Sequence, residues 1–158
     1  MTMLVSGRAV ARTSSSRGRR KAVAALFVLA ALFWAVAVSA QSAEPVRIAS
    51  VFAQTGPGAE ENSPNFRIVQ LAAREINARG GILGRPVELV ELDTRSTPLG
   101  ARQAALDAVK AGVVAVVGPS WSSQAMAMGP VLQQAGIPMR GAPPTAPEVT
   151  RIGEFIFR

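Results

Sequence analysis

With 158 residues the chain allows one domain of ordinary size and one core. Its formal net charge of +7 points toward an anionic partner, yet six of its seventeen bases (Arg8, Arg12, Arg17, Arg19, Arg20, Lys21) precede residue 41, where no acid occurs, and residues 41–158 carry eleven bases against ten acids. A nucleic-acid module needs its bases on the folded part, in a stripe that tracks phosphates, so this distribution excludes that class; the lack of any Cys or His excludes lipoprotein anchoring, thiol nucleophiles, Ser–His catalysis and the usual zinc sites.

The basic cluster runs directly into an apolar stretch, Ala22–Val38, followed by small residues at Val38-Ser39-Ala40. This is the three-part plan of a secretory signal peptide, with cleavage expected after Ala40 and the mature chain beginning at residue 41. The apolar stretch has 17 residues, the short limit of about 17–25 for a membrane-crossing helix, so an uncleaved anchor is the alternative. Either way, contact with the membrane is expected only through this segment.

Beyond Pro45, Val46-Arg47-Ile48-Ala49-Ser50-Val51-Phe52 reads as a first strand. The turn formers Thr55-Gly56-Pro57-Gly58 follow, then Ser63-Pro64, the residue types favoured at N-cap and first helical position. Phe66, Val69, Ala72, Ala73 and Ile76 recur at helical spacing, and Gly80-Gly81 stops the helix. Pro86–Asp93 reads as a second strand. Thr97-Pro98 repeats the cap signal for a helix that presents Ala101, Ala104, Ala105, Ala108 and Val109 and stops at Gly112. Val113–Val117 is a β-branched run of the kind buried on both faces of a parallel sheet. Gly118-Pro119 breaks it, hydroxyls from Ser120 to Ser123 supply a cap, and a third helix runs to about Ala135. Ile137-Pro138-Met139 is a short strand leading to the loop Gly141–Pro147, and Phe155-Ile156-Phe157 begins another.

The order β-α-β-α-β-α-β-loop-β, with short connections, predicts an α/β fold: a doubly wound parallel sheet with helices on both faces. Ligands of such sheets bind at the carboxyl ends of the strands, here the loops at 53–63, 94–97, 118–123 and 140–147. Gly56-Pro57-Gly58 is no dinucleotide fingerprint, because Glu61 stands where the third glycine is needed and its charge would repel a pyrophosphate. No cofactor is expected. Ser120-Trp121-Ser122-Ser123 sits at a strand-to-helix junction, where unpartnered amides and the helix dipole favour an anion; the hydroxyls of Ser122 and Ser123 add donors for a carboxylate, or else one serine merely caps its own helix. Pro143-Pro144-Thr145 presents carbonyls on a stiffened backbone, suited to an ammonium, with Thr145 as a further donor to the carboxylate or simply a helix cap.

Several stretches together resemble the type I periplasmic binding proteins of branched-chain amino acid ABC transporters. They are Thr55-Gly56-Pro57, the segment from Ala73 to Pro86 containing Glu75-Ile76-Asn77-Ala78-Arg79-Gly80-Gly81-Ile82-Leu83-Gly84-Arg85, Val117-Gly118 with Ser122-Ser123, and Ala135-Gly136-Ile137-Pro138 followed by Thr145–Thr150. The resemblance covers Val46–Arg158. It implies an N-terminal lobe, incomplete at its C-terminus, of a two-lobed protein that closes on a small molecule and delivers it to an ABC transporter permease from the periplasm, without catalysis. It also implies that Ser122 and Thr145 hold the ligand's carboxylate and that the Pro143 carbonyl faces its ammonium. Two positions depart from the pattern: Glu61 stands where an aromatic residue is common, and the bulky Trp121 adjoins the carboxylate position. The ligand is therefore a branched-chain amino acid or a related carboxylate or amide, and the rival expectation is a membrane-anchored ligand-sensing domain of a signalling receptor.

Overall fold

The computed structural model describes residues 44–142 and 144–158. The expected signal peptide, its cleavage point and the anchor alternative fall on residues 1–40, outside the described residues. From Val46 onward the chain forms β1 (Val46–Phe52), α1 (Ala59–Ala78), β2 (Val87–Asp93), α2 (Pro98–Lys110), β3 (Ala115–Val117), α3 (Ser122–Gln134), β4 (Met139–Arg140), a 3-10 turn (Pro147–Arg151) and β5 (Ile156–Phe157). All five strands are parallel, in the order β2-β1-β3-β4-β5. The winding direction reverses between β1 and β3, and in open sheets of this order the crevice at the carboxyl ends beside that reversal receives ligands.

The two-residue period of the strands divides the apolar side chains between two faces. Ala49 and Val51 of β1, Val116 of β3, Met139 of β4 and Ile156 of β5 join one buried cluster with Ala101, Ala104, Ala105 and Ala108 of α2 and Ala125, Met128 and Leu132 of α3. The small alanines let α2 lie close to both the sheet and α3. On the opposite face, Val69, Ala72, Ala73 and Ile76 of α1 meet Ile48, Val87, Leu89 and Val117 around an apolar hollow of about 190 Å3. The sheet is thus wound on both sides, as its sequence order predicts, but α1 alone among the described residues lies on this second face.

Three elements depart from expectation by two residues or more, each for a physical reason. First, α1 starts at Ala59 rather than after Ser63, so Pro64 lies inside the helix. Proline is tolerated there because side chains hold the opening turn: within it the Asn62 Nδ2 donates to the Gly58 carbonyl at 2.9 Å, and from the loop after β3 the Trp121 indole reaches Glu61. Glu60 and Glu61 also place negative charge in the first turn, where the helix dipole favours it. Second, the β-branched run at Val113–Val117 ladders only over Ala115–Val117, because the Val113 N–H is taken by the Ala108 carbonyl at the end of α2, although the Val114 N–H still reaches the Arg47 carbonyl at 2.9 Å. Third, β4 is Met139–Arg140, displaced past Pro138, which has no N–H to give and contributes only its carbonyl, accepting from Val116 N–H at 2.8 Å.

Candidate functional site

The loop after β1 is anchored by the end of β2. The Asp93 carboxylate accepts from the Gln54 amide at 2.8 Å, the Thr55 amide at 3.2 Å, the Thr55 hydroxyl at 2.5 Å and the Arg95 amide at 2.7 Å. Burial pushes this carboxyl's pKa up, but the hydrogen bonds from the Thr55 hydroxyl and the three amides outweigh it and hold the pKa below the ordinary value. Ser96 completes the clamp, donating to the Thr55 carbonyl at 2.7 Å while accepting from the Gly58 amide at 3.0 Å. The loop at 94–97 therefore supports the loop at 53–58.

Side chains from α1 then tie that loop to the one after β3. The Trp121 ring lies over Gly58 so closely that a Cβ there would stand 2.2 Å from its Cη2 atom. Its Nε1–H donates to Glu61 Oε1 at 3.2 Å, and the Asn65 Nδ2 donates to Ser120 Oγ at 3.0 Å. At the start of this second loop Gly118 has φ +107° and lies against β1, where a Cβ would fall 2.0 Å from the Val51 carbonyl oxygen. Only glycine satisfies both the angle and the space.

Ser122 opens α3. The cap residue is Trp121 and no side chain caps the helix, so the reading of a serine spent on capping its own helix is set aside, as is that of Thr145 capping the following turn, whose cap residue is Ala146 with no side-chain bond. Ser122 Oγ instead accepts from the Ala146 amide at 3.1 Å, joining α3 to the loop after β4. Intrahelical bonds begin with Gln124 and Ala125, whose amides both reach the Trp121 carbonyl; the first-turn amides of Ser122 and Ser123 precede them, at the positive end of the helix dipole.

Ser122 and Thr145 line one hollow of about 340 Å3 together with Glu61, Asn65, Ser120, Trp121 and Ala142. That volume is within the range of small-molecule clefts. Ser123 is exposed and does not line it. Pro143 lies outside the described residues. Thr145 is exposed, and its carbonyl accepts from Arg158 Nη1 at 2.8 Å. The sequence points to Ser122, Ser123, Pro143 and Thr145, marks Glu61 and Trp121 only as departures, and gives Asn65 no part. Asn65 reaches the hollow from α1, and its position carries no motif signal of its own. Among the described residues no cluster of three His, Cys, Asp or Glu side chains could hold a metal ion. The arrangement offers hydroxyls and helix-start amides for an anionic group on one side and a carboxylate on the other.

A family model described as "Periplasmic binding protein" matches residues 45–155. The Leu/Ile/Val-binding protein of Escherichia coli strain K12 is 33% identical over 117 residues, covering 73% of this chain and 32% of that protein. The Leu/Ile/Val-binding protein BraC3 of Rhizobium johnstonii is 37% identical over 99 residues, covering 63% and 27%. Among solved structures, the branched-chain amino acid transporter substrate-binding protein LivJ of Streptococcus pneumoniae, in complex with isoleucine, superposes with a TM-score of 0.70 at 30% identity, covering 72% of this chain and 33% of that one. The chain spans about a third of the length of the curated relatives it matches.

Proposed function

Because the chain belongs to the periplasmic binding protein family, we propose that it serves as the substrate-binding component of an ABC importer for a branched-chain amino acid or a related small carboxylate or amide. The activity is binding without turnover, in the periplasm, with hand-over to a membrane permease. Ser122 and Thr145 hold the ligand's carboxylate, the Ser122 amide at the start of α3 faces it, and the Pro143 carbonyl receives the ammonium. The observation that carries this reading is the meeting of Ser122 and Thr145, 23 positions apart in sequence, at one hollow beyond the carboxyl ends of β3 and β4. Similarity to relatives named for binding leucine, isoleucine and valine supports the ligand class.

Titration of the isotope-labelled full chain with L-isoleucine, followed by amide NMR, tests it. The amides of Ser122 and Ala146 are expected to shift saturably, since Ala146 N–H bonds Ser122 Oγ, and Ser122→Ala with Thr145→Val is expected to remove both shifts. Two unmoved amides at millimolar L-isoleucine would refute binding of a branched-chain amino acid at this site. For export, N-terminal sequencing of the secreted product is expected to begin at Gln41; a product retaining Met1 would refute cleavage.

A further inference from the structure

The hollow is lined by five polar side chains, Glu61, Asn65, Ser120, Ser122 and Thr145, and by only two others, Trp121 and Ala142. A branched aliphatic side chain placed against such a wall would strip water from polar groups and return no hydrogen bonds. Glu61 is the decisive member. The Trp121 Nε1–H holds its Oε1 at 3.2 Å, and Trp121 is itself packed against Gly58, so the carboxylate is fixed at the hollow's edge. Among the described residues the one ion pair is Arg47–Glu88, and Glu61 has no cationic partner. A carboxylate accepts up to about four hydrogen bonds, so Glu61 retains acceptor capacity after the indole.

Building on the binding reading above, and narrowing it, we infer that the Glu61–Trp121 pair selects a small carboxylate ligand whose far end carries a cationic hydrogen-bond donor, and disfavours an aliphatic end. Ser122 and Thr145 take the anionic group, as before. Glu61 takes the cation in a charge-assisted bond. A site built to hydrogen-bond a ligand group rejects analogues that lack it, because its own polar groups are left unpaired.

L-arginine and L-leucine share the amino acid head group, so the difference between them reads the far end alone; agmatine has the guanidinium without the carboxylate. The full chain is titrated with each, monitoring the Trp121 indole N–H, assigned with Trp121→Phe, together with the amides of Ser122 and Ala146. The expected result is an L-arginine affinity about tenfold above that for L-leucine, the ratio supplied by one charge-assisted hydrogen bond. Glu61→Gln should bring the two within about twofold, with amide signals remote from the hollow unchanged as the control for folding. L-leucine binding as tightly as L-arginine, an arginine preference that survives Glu61→Gln, or agmatine matching L-arginine would each overturn the inference while leaving ligand binding standing. If neither amino acid moves the Ser122 and Ala146 amides, the binding reading fails and this inference with it.

Discussion

Asp93 organises more of the site's rim than any residue that lines the hollow. Its depressed pKa fixes the direction of a pH effect: the ionised form is favoured by folding, so its stabilisation is fully present above the unfolded value of about 3.9 and is lost as pH falls through the lower folded value. Asp93→Asn removes the charge and sets an amide against the Thr55 hydroxyl and backbone donors. We expect a loss of about 2 kcal/mol in urea denaturation at neutral pH, together with a shallower fall in stability below about pH 4 than the parent chain shows. Gly118 is constrained differently. Gly118→Ala must relieve both a left-handed φ and a Cβ placed 2.0 Å from the Val51 carbonyl oxygen, and is expected to cost about 3 kcal/mol, read as a lowered denaturation midpoint with an unchanged slope.

At the scale of elements, α1 illustrates how tertiary contacts override a local rule. Pro64 withholds the N–H that the Glu60 carbonyl would accept, yet the helix continues through it because Trp121, Asn62 and the dipole all favour the turn that precedes it. Pro64 is exposed, so Pro64→Ala should restore a backbone bond without loss of packing and raise stability by about 1 kcal/mol, measured by urea titration. Gly58 tests the link between this turn and the site. Its φ of −95° suits any residue, so only space forbids a side chain there. Gly58→Ala is expected to displace the indole and to shift the Trp121 side-chain N–H resonance while leaving the sheet's amides in place; an unmoved indole signal would show that the ring does not depend on that contact.

Across the whole molecule, the two faces of the sheet are unequally covered. The α2–α3 side is closed over an alanine-rich core, whereas on the α1 side an apolar hollow stays open between helix and sheet, and Ile68, which lines it, is 62% exposed. An open apolar hollow of this kind on the described residues should bind an environment-sensitive hydrophobic dye. Ile68→Glu is expected to reduce that dye signal while changing stability by no more than about 0.5 kcal/mol, since the side chain is already largely in water. A large stability loss would instead mean that Ile68 is covered in solution.

The sequence by itself determined what depends on near neighbours. Strand β1 from Val46 to Phe52, the Thr97 cap that accepts the Gly100 amide at 2.9 Å, the glycine stops after α1 and α2, and the parallel winding all follow from hydrophobic period, turn chemistry and connection length. The strand-end positions of Ser122 and Thr145, at a strand-to-helix junction and in a loop, were legible for the same reason, and both line one hollow. What only the tertiary structure decided depends on residues far apart in the chain: the opening of α1 before Pro64, Ser122 turned to the Ala146 amide instead of capping α3, and Asn65 and Glu61 brought to Ser120 and Trp121. No local pattern encodes these, because hydrogen bonds between loops exist only once the sheet has set β1, β3 and β4 side by side and carried their ends to one crevice.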